Sequence, residues 1–379
     1  MSDYSMPEGI VPIDLAQFLA TGDDAAACQA ISEGLHKYGI LLLKDPRVSE
    51  DENQEFLDMM EDYYAQPTEA KMHDVHPELH YQVGATPENT EKARNHCQMV
   101  ESDISDDNKP TTLCPPGVDP KWRFFWRAGE RSESSDDAEY ADLNSEQVVP
   151  AEFPQWRRVM DNWGGKMMGC VRTVAEMFAV HHGMPKDTFT ELMKDAPHLL
   201  APTGSDLNKY SEQGTVFASF HYDLNFMTIH GKSRYPGLFA WLRDGRKFKV
   251  SVPDGCLLIQ AAKQFEMLTG GAVLAGFHEG TLTCPCKCDA LCRVPDRYDD
   301  CLATVVVTEA TQAAMEKRKA LGRPLWRVSS TTFSHINSNM SLKPVGPFAT
   351  EEALAKYDDV KAGDMVRAEL EAIALKTSN

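Results

Sequence analysis

The stretch FASFHYDLNFMTIHG, Phe217 to Gly231, sets a histidine two residues ahead of an aspartate inside an otherwise apolar run. Side chains two apart on a strand share a face, so His221 and Asp223 point one way while Phe220, Tyr222 and Leu224 point the other. A buried imidazole and a buried carboxylate both need partners. A cation satisfies the two at once; a hydrogen-bonded His–Asp pair in the core is the plainer alternative.

A third ligand type stands downstream. His278, in AGFHEG, ends a strand expected to return to the same sheets. Two histidines and one carboxylate leave a face of an octahedral ion open, which suits ferrous iron that must bind dioxygen. The same donors suit zinc, so the triad alone does not name the metal. His230, nine residues past His221, competes for a place in the set, but its position predicts a solvated or turn-capping histidine near a strand end.

Two further pairs share the two-residue spacing. LNKY places Asn208 and Tyr210 on one face ahead of the metal strand, and RVSS places Arg327 and Ser329 on one face after His278. A guanidinium fork beside a hydroxyl suits a carboxylate at the closed end of a pocket. A surface ion pair is the bland reading of Arg327, but Trp326 and Val328 flank it in an apolar strand, where an unpaired charge is costly.

Outward from these motifs, the chain divides into a helical half and a β half. Helices are expected over Asp23–Tyr38, Glu50–Tyr64, Phe153–Phe178 and Lys186–Lys194, with strands in GIVPIDL and GILLLKD. Residues 86–149 read as polar and broken; their KWRFFWR segment suits core packing better than a substrate lid. From residue 201 onward short β runs alternate with turns. They include a hairpin, GLFAWLRDGRKFKVSV, whose Asp244-Gly245 pair predicts a type I′ turn. Helix returns over Thr350–Lys376. The expected class is mainly β with flanking helices (α+β), built on a jelly roll.

The chain has 379 residues, 42% apolar and 25% charged, enough for a sizeable core. Its net charge of −19 opposes nucleic-acid and anionic-membrane partners. No apolar run reaches a membrane span, and the N-terminus lacks the pattern of a secretory signal, so a cytoplasmic location is expected. Of ten cysteines, Cys28, Cys97, Cys114, Cys170 and Cys256 are isolated and read as free thiols in a reducing compartment. The other five crowd into residues 284–301, where CPCKCDALC suits a metal-free loop better than a soft-metal site.

Taken in order, Asn208/Tyr210, His221/Asp223, His278 and Arg327/Ser329 resemble the iron- and 2-oxoglutarate-dependent oxygenases of the isopenicillin N synthase-like branch. VPIDLAQF, YGILLL and YYAQPTEAKM resemble that family's N-terminal half, so the similarity runs from about Ile10 to Phe348. The resemblance implies a distorted double-stranded β-helix with Fe(II) on His221, Asp223 and His278. It implies 2-oxoglutarate with its far carboxylate on Arg327 and Ser329, and Asn208 and Tyr210 touching the same co-substrate. Dioxygen is then consumed, succinate and carbon dioxide form, and a small molecule is hydroxylated, desaturated or cyclised. Residues 1–379 are expected to form one oxygenase domain, most simply a monomer: a helical part to 200, a catalytic core over 201–348 with a cysteine-rich insertion at 280–304, and a C-terminal helical segment from 349.

One spacing departs from the family. Arg327 stands 49 residues past His278 rather than a short step, with a helical stretch, TEATQAAMEKRKALG, between them. Arg293 and Arg297 are alternatives, but neither has a hydroxyl residue two positions on. Asn225, on the face of Asp223, and His335, past Ser329, are candidate substrate contacts. Two other functions fit the same motifs: an oxidase that uses no 2-oxoglutarate, and a metal-binding jelly roll without turnover.

Overall fold

The computed structural model describes residues 4–129, 139–212, 215–281 and 309–372. Fourteen strands lie within them: β1 Pro12–Asp14, β2 Ile40–Lys44, β3 Gly84–Thr86, β4 Trp122–Arg127, β5 Leu199–Leu200, β6 Thr203–Asp206, β7 Val216–Tyr222, β8 Met227–Gly231, β9 Leu238–Trp241, β10 Lys247–Lys249, β11 Leu257–Ala261, β12 Phe277–Thr281, β13 Trp326–Val328 and β14 Ser330–Ser334. They form a ten-stranded sheet, ordered β1-β2-β11-β8-β14-β5-β4-β6-β13 with β3 beside β4, and a four-stranded sheet, β10-β9-β12-β7. Ile40, Leu42 and Leu258 of the larger sheet pack against Ala240, Leu242 and Phe248 of the smaller. That apolar seam holds the two layers together.

The other face of the larger sheet is covered by helices. The 26-residue helix Trp156–His181 buries Trp156, Trp163, Met167, Val171 and Phe178 along one stripe, the spacing its sequence predicts. Helix Ala25–Tyr38 starts where the Asp24 carboxylate accepts from Ala27 N–H at 3.0 Å, and ends at Gly39, whose φ of 68° suits a residue without Cβ. Helix Glu50–Tyr64 opens with a capping box between Ser49 and Glu52. Among the described residues no helix is long and apolar enough to cross a membrane.

Several local expectations need correction. The run from Thr215 to Gly231 holds two strands in different sheets, β7 and β8, with Asp223–Phe226 crossing between them. The apolar strand around Arg327 likewise stops at Val328, and β14 begins past Ser329. His278 is the second residue of β12 rather than its end. KWRFFWR is a fully buried strand, β4, inside the segment expected to be broken. The Asp244-Gly245 turn is not type I′: only Gly245 has positive φ, 80°, and its N–H closes on Leu242 O at 3.0 Å. That is a type I turn with glycine at the following left-handed position. Cys97 and Cys114 are not free thiols but a disulfide, with Cα atoms 5.6 Å apart; Cys28, Cys170 and Cys256 are free and buried. The two lie 17 residues apart, with the helix Cys97–Asp103 between them, a spacing that marks no pairing in the sequence. Arg293, Arg297 and the five clustered cysteines lie outside the described residues.

Candidate active site

Strands β7 and β12 run antiparallel with His221 opposite His278, and their rings lie 4.4 Å apart. Asp223, 7% exposed, sits one residue past the end of β7 and turns its carboxylate back between them. His221 Nε2 is 3.6 Å from Asp223 Oδ1, and His278 Nε2 is 3.7 Å from Oδ2. All three ligand atoms lie within 4.8 Å of one another. Such gaps are too long for hydrogen bonds, but they suit donors each about 2 Å from one shared ion.

The outer contacts aim these ligands. His221 Nδ1–H donates to Ser219 O at 2.5 Å, and His278 Nδ1 faces Gly276 O at 3.5 Å, leaving both Nε2 lone pairs turned inward. Thr228 donates its hydroxyl to Asp223 Oδ2 at 2.6 Å. Burial opposes ionisation of Asp223, yet His278, His221 and the Thr228 bond together hold its pKa below the usual carboxylate value. Burial pushes His278 down to about 4, so at neutral pH it is an unprotonated imidazole, ready to ligate. A loop then ties the two ligand strands: Thr112 N–H and hydroxyl both donate to Glu279, next to His278, and Phe220 N–H, next to His221, donates to Thr112 Oγ1 at 2.7 Å. The donor set fits a divalent transition-metal ion with open positions.

His221 and Asp223 form a wall between two cavities. The larger, about 440 Å³, also takes in His278, Arg327, Ser329 and His230. Arg327 is 9% exposed, its Nε has no partner, and among the described residues no acid pairs with it. Burial alone lowers its pKa to about 10, so it stays charged. A buried, unpaired guanidinium is an unmet demand for an anion. Ser329 stands beside it, locked to β6 by Thr203 N–H at 3.1 Å and the Thr203 hydroxyl at 2.8 Å. These residues fit the far carboxylate of a keto acid whose other end reaches the triad.

The smaller cavity, about 210 Å³, collects Asn225 and His335 on the opposite side of Asp223. Asn208 and Tyr210 line neither cavity. β6 ends at Asp206, whose carboxylate accepts from Asn208 N–H at 2.9 Å and turns the chain outward; the Tyr210 hydroxyl goes to Glu88 at 2.7 Å. In their place Thr203, two residues along β6 from the strand's Arg327 partner Ser205, faces the cavity. His230 also departs from expectation. It is no turn cap, but part of the cavity wall, with Nε2 2.7 Å from Gln260 Oε1 and Nδ1 3.1 Å from Thr331 Oγ1. A period-two count from Thr228 would have found it, since both lie on the same face of β8.

A sequence profile described as the N-terminal part of the non-haem dioxygenases of morphine synthesis matches residues 10–152. No curated protein sequence matches the chain. Solved structures do. A 2OG-Fe(II) oxygenase family protein of Caulobacter crescentus aligns over 96% of this chain and 99% of its own, with 20% identity and a TM-score of 0.69. A full-length Neurospora crassa protein solved in complex with alpha-KG aligns over 98% and 99%, with 16% identity and a TM-score of 0.68. The chain thus shares the fold of the iron- and 2-oxoglutarate-dependent oxygenases, and its N-terminal part resembles that of the non-haem dioxygenases. AtDAO1 of Arabidopsis thaliana, a dioxygenase for auxin oxidation, shares the oxygenase fold over 91% of this chain and 99% of its own, at 16% identity and a TM-score of 0.56.

Proposed function

We propose that this chain is a non-haem iron(II) dioxygenase that couples oxidative decarboxylation of 2-oxoglutarate to oxidation of a small molecule by hydroxylation, desaturation or ring closure. One observation carries the reading: a buried arginine without an acid partner shares a cavity with a two-histidine, one-carboxylate cluster. A structural metal needs no such arginine. His221, Asp223 and His278 hold the metal, and their backbone and Thr228 contacts fix which atoms face it. Arg327 and Ser329 bind the far carboxylate of 2-oxoglutarate and set how far its keto-acid end extends. His230 and Thr203 complete the wall and keep water from the co-substrate. Iron held there would supply dioxygen activation, and 2-oxoglutarate two electrons on becoming succinate and carbon dioxide.

The Neurospora crassa protein has been solved with thymine and JOX2 with JA, which supports a small organic substrate here. The test is direct. Protein loaded anaerobically with ferrous iron and 2-oxoglutarate should show the visible charge-transfer band of a chelated keto acid, and admitting oxygen should yield succinate. Protein that binds iron but gives neither band nor succinate would refute the proposal.

A further inference from the structure

The smaller cavity holds polar groups that the proposed reaction leaves unused. Its buried charges are already paired, Lys121 with Asp119 at 2.8 Å and Arg123 with Glu91, and the partly exposed Arg94 pairs with Glu369 at 2.7 Å. Lys92 is exposed at the rim, where water solvates it. Two uncharged side chains differ. Asn225 is 2% exposed and His335 7% exposed, and each keeps a buried polar atom without a partner.

The hydrogen bonds around Asn225 decide which end of it is free. Thr228 has one hydroxyl proton, and it goes to the Asp223 carboxylate at 2.6 Å. Asn225 Oδ1 lies 3.2 Å from the same hydroxyl and takes the weaker share of it. Its amide nitrogen is left without a partner, as a donor. His335 is held nearby: Phe226 N–H bonds Ser334 O at 2.7 Å, and His335 N–H bonds His198 Nδ1 at 3.0 Å. Burial, with Arg127 close, keeps the ring uncharged, its pKa pushed down to about 3. A neutral imidazole offers one donor and one acceptor. Phe125, Leu199, Leu224 and Phe333 supply apolar wall around the pair.

We infer that Asn225 and His335 form the recognition end of the substrate chamber, and that it selects an uncharged substrate bearing a hydrogen-bond donor beside an acceptor: a carboxamide, a lactam or a related heterocyclic amide. A carboxylate or ammonium substrate finds no unpaired buried countercharge there among the described residues, since the buried charges already have partners. The cavity measures about 210 Å³. The inference rests on the iron and 2-oxoglutarate reading and names the next group along.

Calorimetric titration of protein loaded with Mn(II) and 2-oxoglutarate, using benzamide, benzoate and benzylamine as matched probes, tests it. Benzamide should bind at least tenfold more tightly than the acid or the amine. Asn225→Leu and His335→Phe should each weaken benzamide about tenfold while both still bind 2-oxoglutarate; the second keeps a ring of similar size if the first fails to fold. Equal binding of the charged probes, unchanged benzamide affinity in the variants, or no probe binding at all with metal and keto acid bound would overturn the inference alone. Failure of Mn(II) and 2-oxoglutarate to bind would overturn the proposed function, and the inference with it.

Discussion

Arg327 shows how one side chain can be legible before its surroundings are known. Between Trp326 and Val328 an arginine is a buried charge, and a buried charge demands an anion. The folded protein supplies none among the described residues. Arg327→Met should therefore weaken 2-oxoglutarate by about 1.5–3 kcal/mol, roughly ten- to hundredfold, the worth of hydrogen bonds to a charged group. The apo protein should be no less stable, since an uncompensated charge is removed. Calorimetry and thermal melts measure both; unchanged 2-oxoglutarate affinity would move the anchor elsewhere. Asn208 and Tyr210 share the same two-residue spacing, yet spacing was not enough. Whether a pair faces inward depends on where the strand stops, and Asp206 stops β6 just before them.

At the scale of elements, close approach decides more than propensity does. Gly204, in the middle of β6, is covered by Tyr64, and a methyl group there would press on three carbons of the ring. The ring cannot retreat, because its buried hydroxyl bonds Pro202 O at 2.7 Å and it stacks on Trp326 at 5.6 Å. Gly204→Ala should cost about 1–3 kcal/mol of stability, read from denaturant melts. It should also weaken 2-oxoglutarate, since Thr203 and Ser329 are joined next to it. The long helix Trp156–His181 was readable because its apolar stripe repeats at the helical period over many turns. The split of one apolar run into β7 and β8 was not. Both halves have strand character, and only pairing with different neighbours separates them.

Across the whole molecule, buried neutral histidines set the acid limit. His230 and His278 are pushed down to about 4 and His335 to about 3, each first by burial. Their unfolded values lie near 6.5, so below that pH the unfolded chain binds more protons than the folded one. Stability of the apo protein should be full above about pH 6.5 and fall as pH drops toward 4. Thermal melts from pH 8 to pH 4 check this; a flat profile would contradict the burial of these rings. Mn(II) should raise the melting temperature at pH 7 and lose that effect as the ligands protonate.

Residue order alone was sufficient for the candidate ligand types, their spacing and the long helices, because those depend on periodicity and on what a buried polar group requires. Folding decided what periodicity cannot express. It set β12 beside β7 so that His278 meets His221 across 57 positions of chain. It joined Cys97 to Cys114, drew His230 into the wall and turned Asn208 and Tyr210 away. Each of these is a pairing between distant segments, governed by register and packing and therefore absent from any local stretch of sequence.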